Sequence, residues 1–190
     1  RSKDLVQQIL AFARRQTLER KPTSLSMVVL ESARLLRASI PTKVSLKVEC
    51  KADTPAVLAD AMQVNQVLLN LSSNALQAVQ NQERPGVIEI RLEAPTQGEA
   101  RGDLRRGGYA CLSVRDNGSG MDEATRARIF EPFFTTKPVG TGTGLGLSVV
   151  HGIVQAHEAS IQVESAPSEG SRFRIYFPAV NTKTGQRTDT

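Results

Sequence analysis

The feature that most constrains this chain is a glycine-rich segment that runs directly into an apolar helical pattern. Glycine recurs at every second position from Gly140 to Gly146. The apolar residues that follow have the spacing of one helix face, at Leu147, Val149, Val150, Ile153 and Val154. Glycine has no Cβ, so peptide N–H groups can approach a polyphosphate closely, and a helix beginning there adds unpaired N–H groups and a positive dipole end. The segment therefore predicts a phosphate-binding site at the start of a helix.

Counting excludes the most common nucleotide-binding loops. A Rossmann fingerprint needs glycines at positions i, i+2 and i+5, but the i+5 positions after Gly140, Gly142 and Gly144 are Leu145, Leu147 and Val149. A Walker A loop needs a lysine directly after its last glycine, and no glycine in the chain is followed by lysine. The segment must therefore belong to another nucleotide-binding fold.

A second glycine cluster follows the predicted strand Tyr109–Arg115. This strand delivers Asp116 into the sequence Asp-Asn-Gly-Ser-Gly, which ends at Gly120. An aromatic segment with phenylalanines from Phe130 to Phe134 then separates the two glycine clusters. The acidic residue and both clusters are thus candidates for one site.

A long helix predicted from Asp60 to about Val79 has an apolar stripe and a second face rich in amides. The stripe contains Val64, Leu68, Leu71, Ala75 and Ala78, and the second face contains Gln66, Asn70, Asn74 and Gln77. Asparagine is disfavoured inside helices because its amide competes for backbone groups. A solvated polar face is one explanation. The alternative is a wall of the nucleotide site, since amide oxygens are neutral, hard ligands suited to Mg²⁺.

Hydrophobic periodicity predicts the remaining elements. Helices are predicted over Arg1–Arg20, from about Thr23 to just before Pro41, and from Gly144 to about Ala156. Strands are predicted at Val44–Cys50, Val57–Leu58, Val87–Leu92, Ser160–Ser165 and Arg172–Phe177. The polar stretch from Ala94 to Gly108 is predicted to be a hairpin loop, and residues 179–190 a flexible tail.

Composition narrows the function further. The net charge is +5, but no long basic run is present and aromatic content is 4%, which argues against a nucleic-acid groove. Cys50 and Cys111 lie in apolar segments without CxxC spacing, which favours buried thiols over a disulfide or a metal site. The chain has no apolar stretch of about 18 or more residues, so no membrane span is predicted. Because the chain begins at Arg1 within a helical pattern, we expect it to be part of a longer protein.

These motifs, in this order, resemble the N, G1, F and G2 boxes of sensor histidine kinases. The N box corresponds to the helix with Asn70 and Asn74, and the G1 box to Asp116–Gly120. The F box corresponds to Phe130–Phe134, and the G2 box to Gly142–Leu147. The resemblance covers about Thr23 to Pro178 and implies a Bergerat-type ATP-binding fold. This fold is an α/β two-layer sandwich with a mixed sheet on one side and three helices on the other, shared with gyrase, MutL and the heat-shock chaperone ATPases.

The resemblance also implies roles for individual residues. Asp116 would accept the adenine amino hydrogen bond, Asn74 would ligate Mg²⁺, and Asn70 would lie beside the phosphates. Phe130 and its neighbours would anchor a lid over residues 135–141, although ordinary core packing is the simpler interpretation of these rings. Lys137 would reach the phosphates when that lid closes. The full set implied to bind nucleotide is Asn70, Asn74, Asp116, Gly118, Gly120, Phe130, Lys137, Gly142, Thr143, Gly144, Leu145 and Gly146.

The resemblance further implies partners. Arg1–Arg20 is similar to the second helix of the dimerisation hairpin, and the helix carrying the phosphoacceptor histidine would precede it. His151 and His157 are interpreted as structural, because an acceptor should face the phosphates from outside the domain. A receiver domain of a response regulator would take the phosphoryl group next. The full protein would be a cytoplasmic or membrane-anchored homodimer whose catalytic part contacts neither membrane nor nucleic acid.

Alternatives and one departure from the family pattern stay open. An ATPase or serine kinase of the same fold would have the same nucleotide motifs, and a non-catalytic nucleotide-binding module would keep the fold without the transfer. The family often has glycines after the histidine that ends the last helix, whereas this chain has Glu158 and Ala159 after His157. We therefore expect a differently shaped turn there, away from the phosphate positions.

Overall fold

The computed structural model describes residues 18–80, 82–95, 108–136 and 143–180. The predicted first helix lies outside this part of the chain except for residues 18–20, which are not helical. There the Glu19 N–H donates to Asp60 Oδ2 at 3.3 Å, and Arg20 forms an ion pair with Glu158 at 2.9 Å. Lys137, Gly142 and most of the predicted lid, hairpin loop and tail also lie outside the described residues.

The described residues form seven strands and four helices. The strands are β1 Lys21–Thr23, β2 Val44–Cys50, β3 Val57–Ala59, β4 Gly86–Glu93, β5 Tyr109–Asp116, β6 Ser160–Ala166 and β7 Gly170–Pro178. The helices are α1 Leu25–Ser39, α2 Ala61–Gln80, α3 Glu123–Arg128 and α4 Gly146–Ala156. Each element predicted within this part of the chain is confirmed, with ends that differ by at most a few residues.

The main sheet has the strand order β2-β4-β5-β7-β6. Strands β2 and β4 are parallel, and the other neighbours are antiparallel, so the sheet is mixed as the resemblance implies. A separate small sheet pairs β1 with β3. The order places β7, which comes last in the chain, beside β5. The end of β5 that carries Asp116 is therefore flanked by the start of β7, where Asp116 pairs with Ser171.

Side-chain alternation on the strands explains the two layers. On β4, Ile88, Ile90 and Leu92 are buried against the helices, while Arg91 between them is exposed. The opposite face carries charged pairs across strands, such as Lys47 with Glu89 and Arg174 with Glu164. Helices α1, α2 and α4 contribute apolar residues to the same core, so the predicted sandwich of one sheet and three long helices is confirmed.

Some short elements were not predicted from the sequence. Strand β1 was interpreted only as the stop after a helix, because Pro22 lies in its centre, but its three residues pair with β3. Helix α3 has no buried residue, and its start is marked only by Asp122, whose side chain accepts a hydrogen bond from the Thr125 N–H at 2.7 Å. The ordered chain also continues beyond Pro178, since the Val180 N–H donates to the Ala56 carbonyl at 2.8 Å.

His157 connects the end of α4 to the start of α2. Its Nε2 accepts from the Asp60 N–H at 3.0 Å, so the proton is on Nδ1, which donates to the Ile153 carbonyl at 2.8 Å. The ring is buried, and this burial lowers the pKa of His157. Burial and both hydrogen bonds support the structural interpretation of this histidine.

The residue after His157 has an unusual backbone conformation. Glu158 has φ of 55°, in the left-handed region that favours glycine, which fits the expected departure from the family pattern at this turn. Cys50 and Cys111 are both free thiols; Cys111 is buried as predicted, whereas Cys50 is only half-buried. None of the described helices combines the length and apolar character that crossing a membrane requires.

Candidate functional site

A cavity of about 750 Å³ lies between α2, α3, the start of α4 and the chain segment that follows β5. Its walls include most of the predicted site residues, namely Asn70, Asn74, Asp116, Gly120, Thr143, Gly144 and Gly146. The carboxylate, the helical amides and the glycine segment predicted from the sequence therefore face one space. Gly118, Phe130 and Leu145 are not part of this wall, and each lies directly behind it or next to it in sequence.

Asp116 lies at the end of β5 and is only 5% exposed. Its Oδ1 accepts a hydrogen bond from the Gly118 N–H at 2.8 Å. Burial raises the pKa of Asp116, and this effect is opposed by backbone hydrogen bonds from Gly118 and Ser171 and by the charge of Arg115. The carboxylate is thus oriented by the backbone while facing the cavity, which suits it to accept one hydrogen bond from a bound ligand.

The segment after Asp116 lies directly on the last turn of α2. The Ser119 N–H donates to the Ala78 carbonyl at 3.3 Å, which satisfies a carbonyl that the helix end leaves open. A Cβ on Gly118 would lie 2.7 Å from that same carbonyl oxygen, so only glycine fits. Gly118 therefore acts behind the cavity wall by allowing the loop to approach α2. Gly120 lines the cavity itself.

The amides of α2 reach the cavity from the other side. Asn70 Nδ2 donates to the Gly146 carbonyl at 3.3 Å, which joins α2 to the start of α4. Asn74 faces the cavity, and within the described residues its amide has no hydrogen-bond partner. Within the described part of the chain, a Cβ added to Gly146 would meet only the side chains of Asn70 and Asn74, both at 4.0 Å. The protein therefore has room for a side chain at Gly146, and the glycine leaves that room open to the cavity.

Among the residues that the structure describes, no side chain caps the start of α4. The N–H groups of the first turn of a helix have no partner within the helix, so an uncapped start can donate to an anion. Gly146 and Leu147, at this start, line the cavity. Thr143 lies next to it, and its Oγ1 accepts from the Leu145 N–H at 3.4 Å. The start of α4 therefore lies on the cavity beside Asn70 and Asn74.

The aromatic segment joins the glycine segment through its backbone. The Phe133 N–H donates to the Gly144 carbonyl at 2.9 Å, and both residues have positive φ, of 67° and 66°. Phe130 packs against the core and stacks on His151 with ring centroids 4.9 Å apart. Phe134 does line the cavity, and the Arg128 guanidinium lies 4.4 Å from its ring centroid. The interpretation of the aromatics as partly ordinary core is thus correct for Phe130.

Several residues of the wall were not identified from the sequence. Met121, Ile129 and Phe173 form an apolar part of the cavity near Asp116, and Ser171 adds a polar group there. Phe173 and Ser171 belong to β7, and only the strand order places them beside β5. Met121 directly follows the second glycine cluster, so its position next to the motif was the available signal.

The donor set limits the kind of metal that the site could hold. Within the described ranges, no group of three or more His, Cys, Asp or Glu side chains is placed to bind a metal ion. A lone amide oxygen such as that of Asn74 suits Mg²⁺, which keeps several waters and takes further ligands from substrate phosphates. The residues present therefore fit Mg²⁺ that arrives with a nucleotide, and not a site made of protein ligands alone.

Comparison with known proteins agrees with this geometry. Residues 59–181 match the family described as "Histidine kinase-, DNA gyrase B-, and HSP90-like ATPase". The sensor kinase CckA of Brucella abortus is 37% identical over 182 residues, which is 94% of this chain and 19% of that protein. The chain therefore spans about a fifth of the length of this relative.

Solved structures show the same fold. Full-length ShkA in complex with AMPPNP is 27% identical with a TM-score of 0.72, over 93% of this chain and 36% of that one. Histidine kinase ThkA in complex with the response regulator protein TrrA is 26% identical with a TM-score of 0.68, over 96% of this chain and 48% of that one.

Proposed function

Because this chain belongs to the family of histidine kinase-, DNA gyrase B- and HSP90-like ATPases, as a histidine kinase catalytic ATP-binding domain, we propose that it holds ATP in the cavity described above. Its reaction is transfer of the γ-phosphoryl group to a histidine on a dimerisation domain of the same or the partner chain. Onward transfer goes to an aspartate of a response-regulator receiver domain. The cavity supplies binding and positioning, which is most of what phosphoryl transfer requires of a protein.

The observation that carries this proposal is the arrangement of unlike groups on one cavity. Asp116 is a buried hydrogen-bond acceptor near the last turn of α2, where Gly118 packs on Ala78, and the start of α4 meets α2 at Asn70 and Asn74, further towards the beginning of that helix. An adenine amino group donates, and phosphates accept, so ATP matches both ends. His151 stacks on Phe130 and His157 is buried, so neither is placed to receive the phosphoryl group.

Mg²⁺ is part of the proposal. Asn74 is the residue that would hold it, because this amide faces the cavity and has no hydrogen-bond partner among the described residues. A bound Mg²⁺ neutralises charge on the phosphates. Lys137, Gly142, Gly144 and Thr143 stay in the proposed phosphate-binding set, although the first two lie outside the described residues.

The proposed partners follow from the relatives. ThkA was solved with a response regulator, and CckA is named a sensor kinase. We extend to this chain a receiver domain as phosphoryl acceptor, a dimerisation domain, a homodimeric full-length protein and a cytoplasmic site of action. These extensions concern the whole protein and are separate from nucleotide binding by this domain.

Titration calorimetry of the purified chain tests the first step. We expect ADP and a non-hydrolysable ATP analogue to bind with Mg²⁺, and GDP to bind at least tenfold more weakly, because guanine presents an acceptor where adenine has a donor. Equal affinity for ADP and GDP would refute the assignment of adenine to Asp116. Absence of binding by both would refute the nucleotide site.

The transfer step needs a second experiment. The chain should be joined to a dimerisation hairpin of a histidine kinase and incubated with labelled ATP. Acid-labile, base-stable phosphorylation of the hairpin histidine is the expected result. Steady phosphate release by the chain alone, with no labelled histidine, would instead identify an ATPase of the same fold.

A further inference from the structure

Arg84 joins the loops that lie behind Asp116. It belongs to the loop between α2 and β4 and is exposed to solvent on one side. Its Nη2 donates to the carbonyls of Asn117 at 2.5 Å, Ser168 at 2.9 Å and Gly118 at 3.4 Å. Asn117 and Gly118 directly follow Asp116, and Ser168 lies in the turn between β6 and β7. A single guanidinium thus contacts the backbone of two neighbouring loops.

The side chain of Asn117, in the segment after β5, bonds back to the α2–β4 loop and to the start of β4. Its Oδ1 accepts from the Val87 N–H at 2.8 Å and from Gln82 Nε2 at 3.2 Å, and its Nδ2 donates to the Pro85 carbonyl at 3.0 Å. The Nε of Arg84 in turn donates to Gln82 Oε1 at 3.2 Å. The α2–β4 loop and the segment after β5 are therefore joined by side chains from both partners. We call Arg84, Gln82 and Asn117 the loop clasp.

The loop clasp acts on the carboxylate through Gly118. The Gly118 N–H donates to Asp116 Oδ1 at 2.8 Å, and the Gly118 carbonyl is one of the acceptors of Arg84. The peptide groups on both sides of Gly118 are thus fixed, one to Asp116 and the other to the loop clasp. Movement of this segment would loosen the carboxylate, because the Gly118 N–H is one of the two backbone donors that orient it, the other being that of Ser171.

Arginine suits this role for a chemical reason. Its guanidinium has several N–H donors in a rigid plane, so one side chain can donate to several carbonyls at once, whereas the lysine ammonium is a compact charge on a flexible stem. Hydrogen bonds from a charged donor are stronger than neutral ones, although solvent competes with them at an exposed position such as this.

We propose that Arg84 is a positioning residue for purine recognition, because the loop clasp holds Asn117 and Gly118 so that Asp116 presents one oxygen to the adenine amino group. The proposal rests on the proposed ATP site. Arg84 does not line the cavity, so it acts through Asp116 and not on the nucleotide itself. A fixed carboxylate rejects guanine, whose oxygen occupies the position of the adenine amino group, whereas a mobile carboxylate can turn away from it.

The test compares Arg84→Ala and Arg84→Lys with the unmodified chain by titration calorimetry, using ADP, GDP and pyrophosphate as ligands. We expect ADP affinity to fall about five- to tenfold in both variants, since both lose the planar donor set. GDP affinity should change less, so the ratio of ADP affinity to GDP affinity should fall. Pyrophosphate affinity should stay the same, because the proposed phosphate-binding groups of Asn74 and Gly146 do not belong to the loop clasp. Arg34→Ala removes an exposed arginine on α1 and should alter none of these affinities.

A second variant separates positioning from general destabilisation. Asn117→Ala removes the other half of the loop clasp and should show the same selective loss of ADP affinity. The double variant should lose less than the product of the single losses, because both residues act on one segment. Equal loss of ADP and pyrophosphate affinity, or unchanged ADP affinity in Arg84→Ala, would overturn the inference. If the unmodified chain bound neither ADP nor ATP, the proposed function itself would fail.

Discussion

The two ends of the cavity are built in different ways. At the end near Asp116, which we call the adenine end, polar groups are largely bonded to the protein itself, through Gly118, Asn117 and the α2–β4 loop. At the other end, the phosphate end, the Asn74 amide and the uncapped start of α4 face the cavity. The adenine end is therefore formed by folding alone, whereas the phosphate end has bonding capacity that a ligand can satisfy.

The glycines of the two motifs show the same difference. Gly144 has φ of 66°, and a Cβ there would lie 2.5 Å from the Phe133 backbone, so the fold itself requires glycine. At Gly146, a Cβ would have no neighbour closer than 4.0 Å among the residues that the structure describes. Glycine is thus needed at the two positions for different reasons. At Gly144 the backbone conformation requires it, and at Gly146 it leaves space for the ligand.

Replacing the acceptor at the adenine end should have the largest effect on binding. In Asp116→Asn, the amide oxygen can still accept from Gly118, and the amide nitrogen then faces the adenine amino group as a second donor. We expect ADP affinity to fall about 100-fold, or ~2.7 kcal/mol. Burial raises the pKa of Asp116, so the ionised carboxylate disfavours the folded state at neutral pH. The melting temperature without ligand should therefore stay equal or rise.

Asp53→Asn is the matched control, since Asp53 is an exposed aspartate outside the cavity. It should change neither ADP affinity nor melting temperature. A large fall in the melting temperature of Asp116→Asn, measured by calorimetric scanning, would show that the carboxylate stabilises the fold. Asp116 would then serve the fold, and its assignment as the acceptor for a ligand at the adenine end would be wrong.

The paired glycines allow the comparison to be tested within one motif. Gly144→Ala places a side chain at positive φ against Phe133 and should lower the free energy of unfolding by about 2 kcal/mol. Gly146→Ala should leave stability unchanged or raise it by up to about 1 kcal/mol, since alanine favours helices more than glycine does. Its methyl group should instead lower ADP affinity about tenfold, with equal effect on pyrophosphate.

Denaturant unfolding and calorimetric titration of both variants measure these two effects. If Gly146→Ala binds ADP as tightly as the unmodified chain, the space beside Asn70 and Asn74 is not used by phosphates. The phosphate-binding site would then have to be sought in another part of the cavity.

The sequence predicted the long elements well because their patterns are local. The alternation in β2 and the stripe of α2 can be found without knowledge of the fold, and both elements form within a residue of the prediction. Strand β1 and helix α3 could not be found in this way. Three residues around Pro22 form a strand only because β3 lies beside them, and α3 has no buried face to produce a periodicity.

The residues of the candidate site also differ in whether local sequence or the fold reveals them. Asp116, Asn74 and the glycines are prominent in the sequence because their residue types are unusual for their predicted surroundings. Ser171 and Phe173 are ordinary strand residues whose place in the wall depends on the order of β5 and β7. Arg84 was missed because most of its acceptors are backbone carbonyls, and a sequence pattern cannot show where carbonyls point.

A smaller effect should come from the amide that we assign to Mg²⁺. Asn74→Ala should lower ADP affinity about three- to tenfold when Mg²⁺ is present, and by less in excess chelator, because a ligand of the ion is lost. Titrations with and without Mg²⁺ provide the comparison. Gln66→Ala, which removes an exposed amide from the same helix, should have no effect under either condition. Equal losses with and without Mg²⁺ would place Asn74 against the nucleotide itself.

The smallest expected effect concerns a region that belongs to neither end of the cavity. His157 fixes the start of α2 to the end of α4, and its Nε2 can accept from the Asp60 N–H only while the ring is neutral. Burial lowers the pKa of His157; the hydrogen bond to the Ile153 carbonyl and the charge of Asp60 oppose this effect, and the charge of Arg20 adds to it. The stability that the neutral ring contributes is therefore complete above the unfolded pKa of about 6.5, and is lost as pH falls below it.

Between pH 7.5 and pH 5.5 we expect the free energy of unfolding to fall by about 1 kcal/mol through this residue, on the order of one buried hydrogen bond. Denaturant unfolding at both pH values measures it. His157→Gln removes the titrating ring and should flatten this part of the pH dependence, whereas His151→Gln, a substitution within α4, should retain it. Because α2 carries Asn74 and α4 begins at Gly146, loosening their far ends should weaken pyrophosphate binding at pH 5.5 more than it disturbs the adenine end. Equal weakening at both ends would mean that the adenine end also depends on this junction and is not fixed by its own loops.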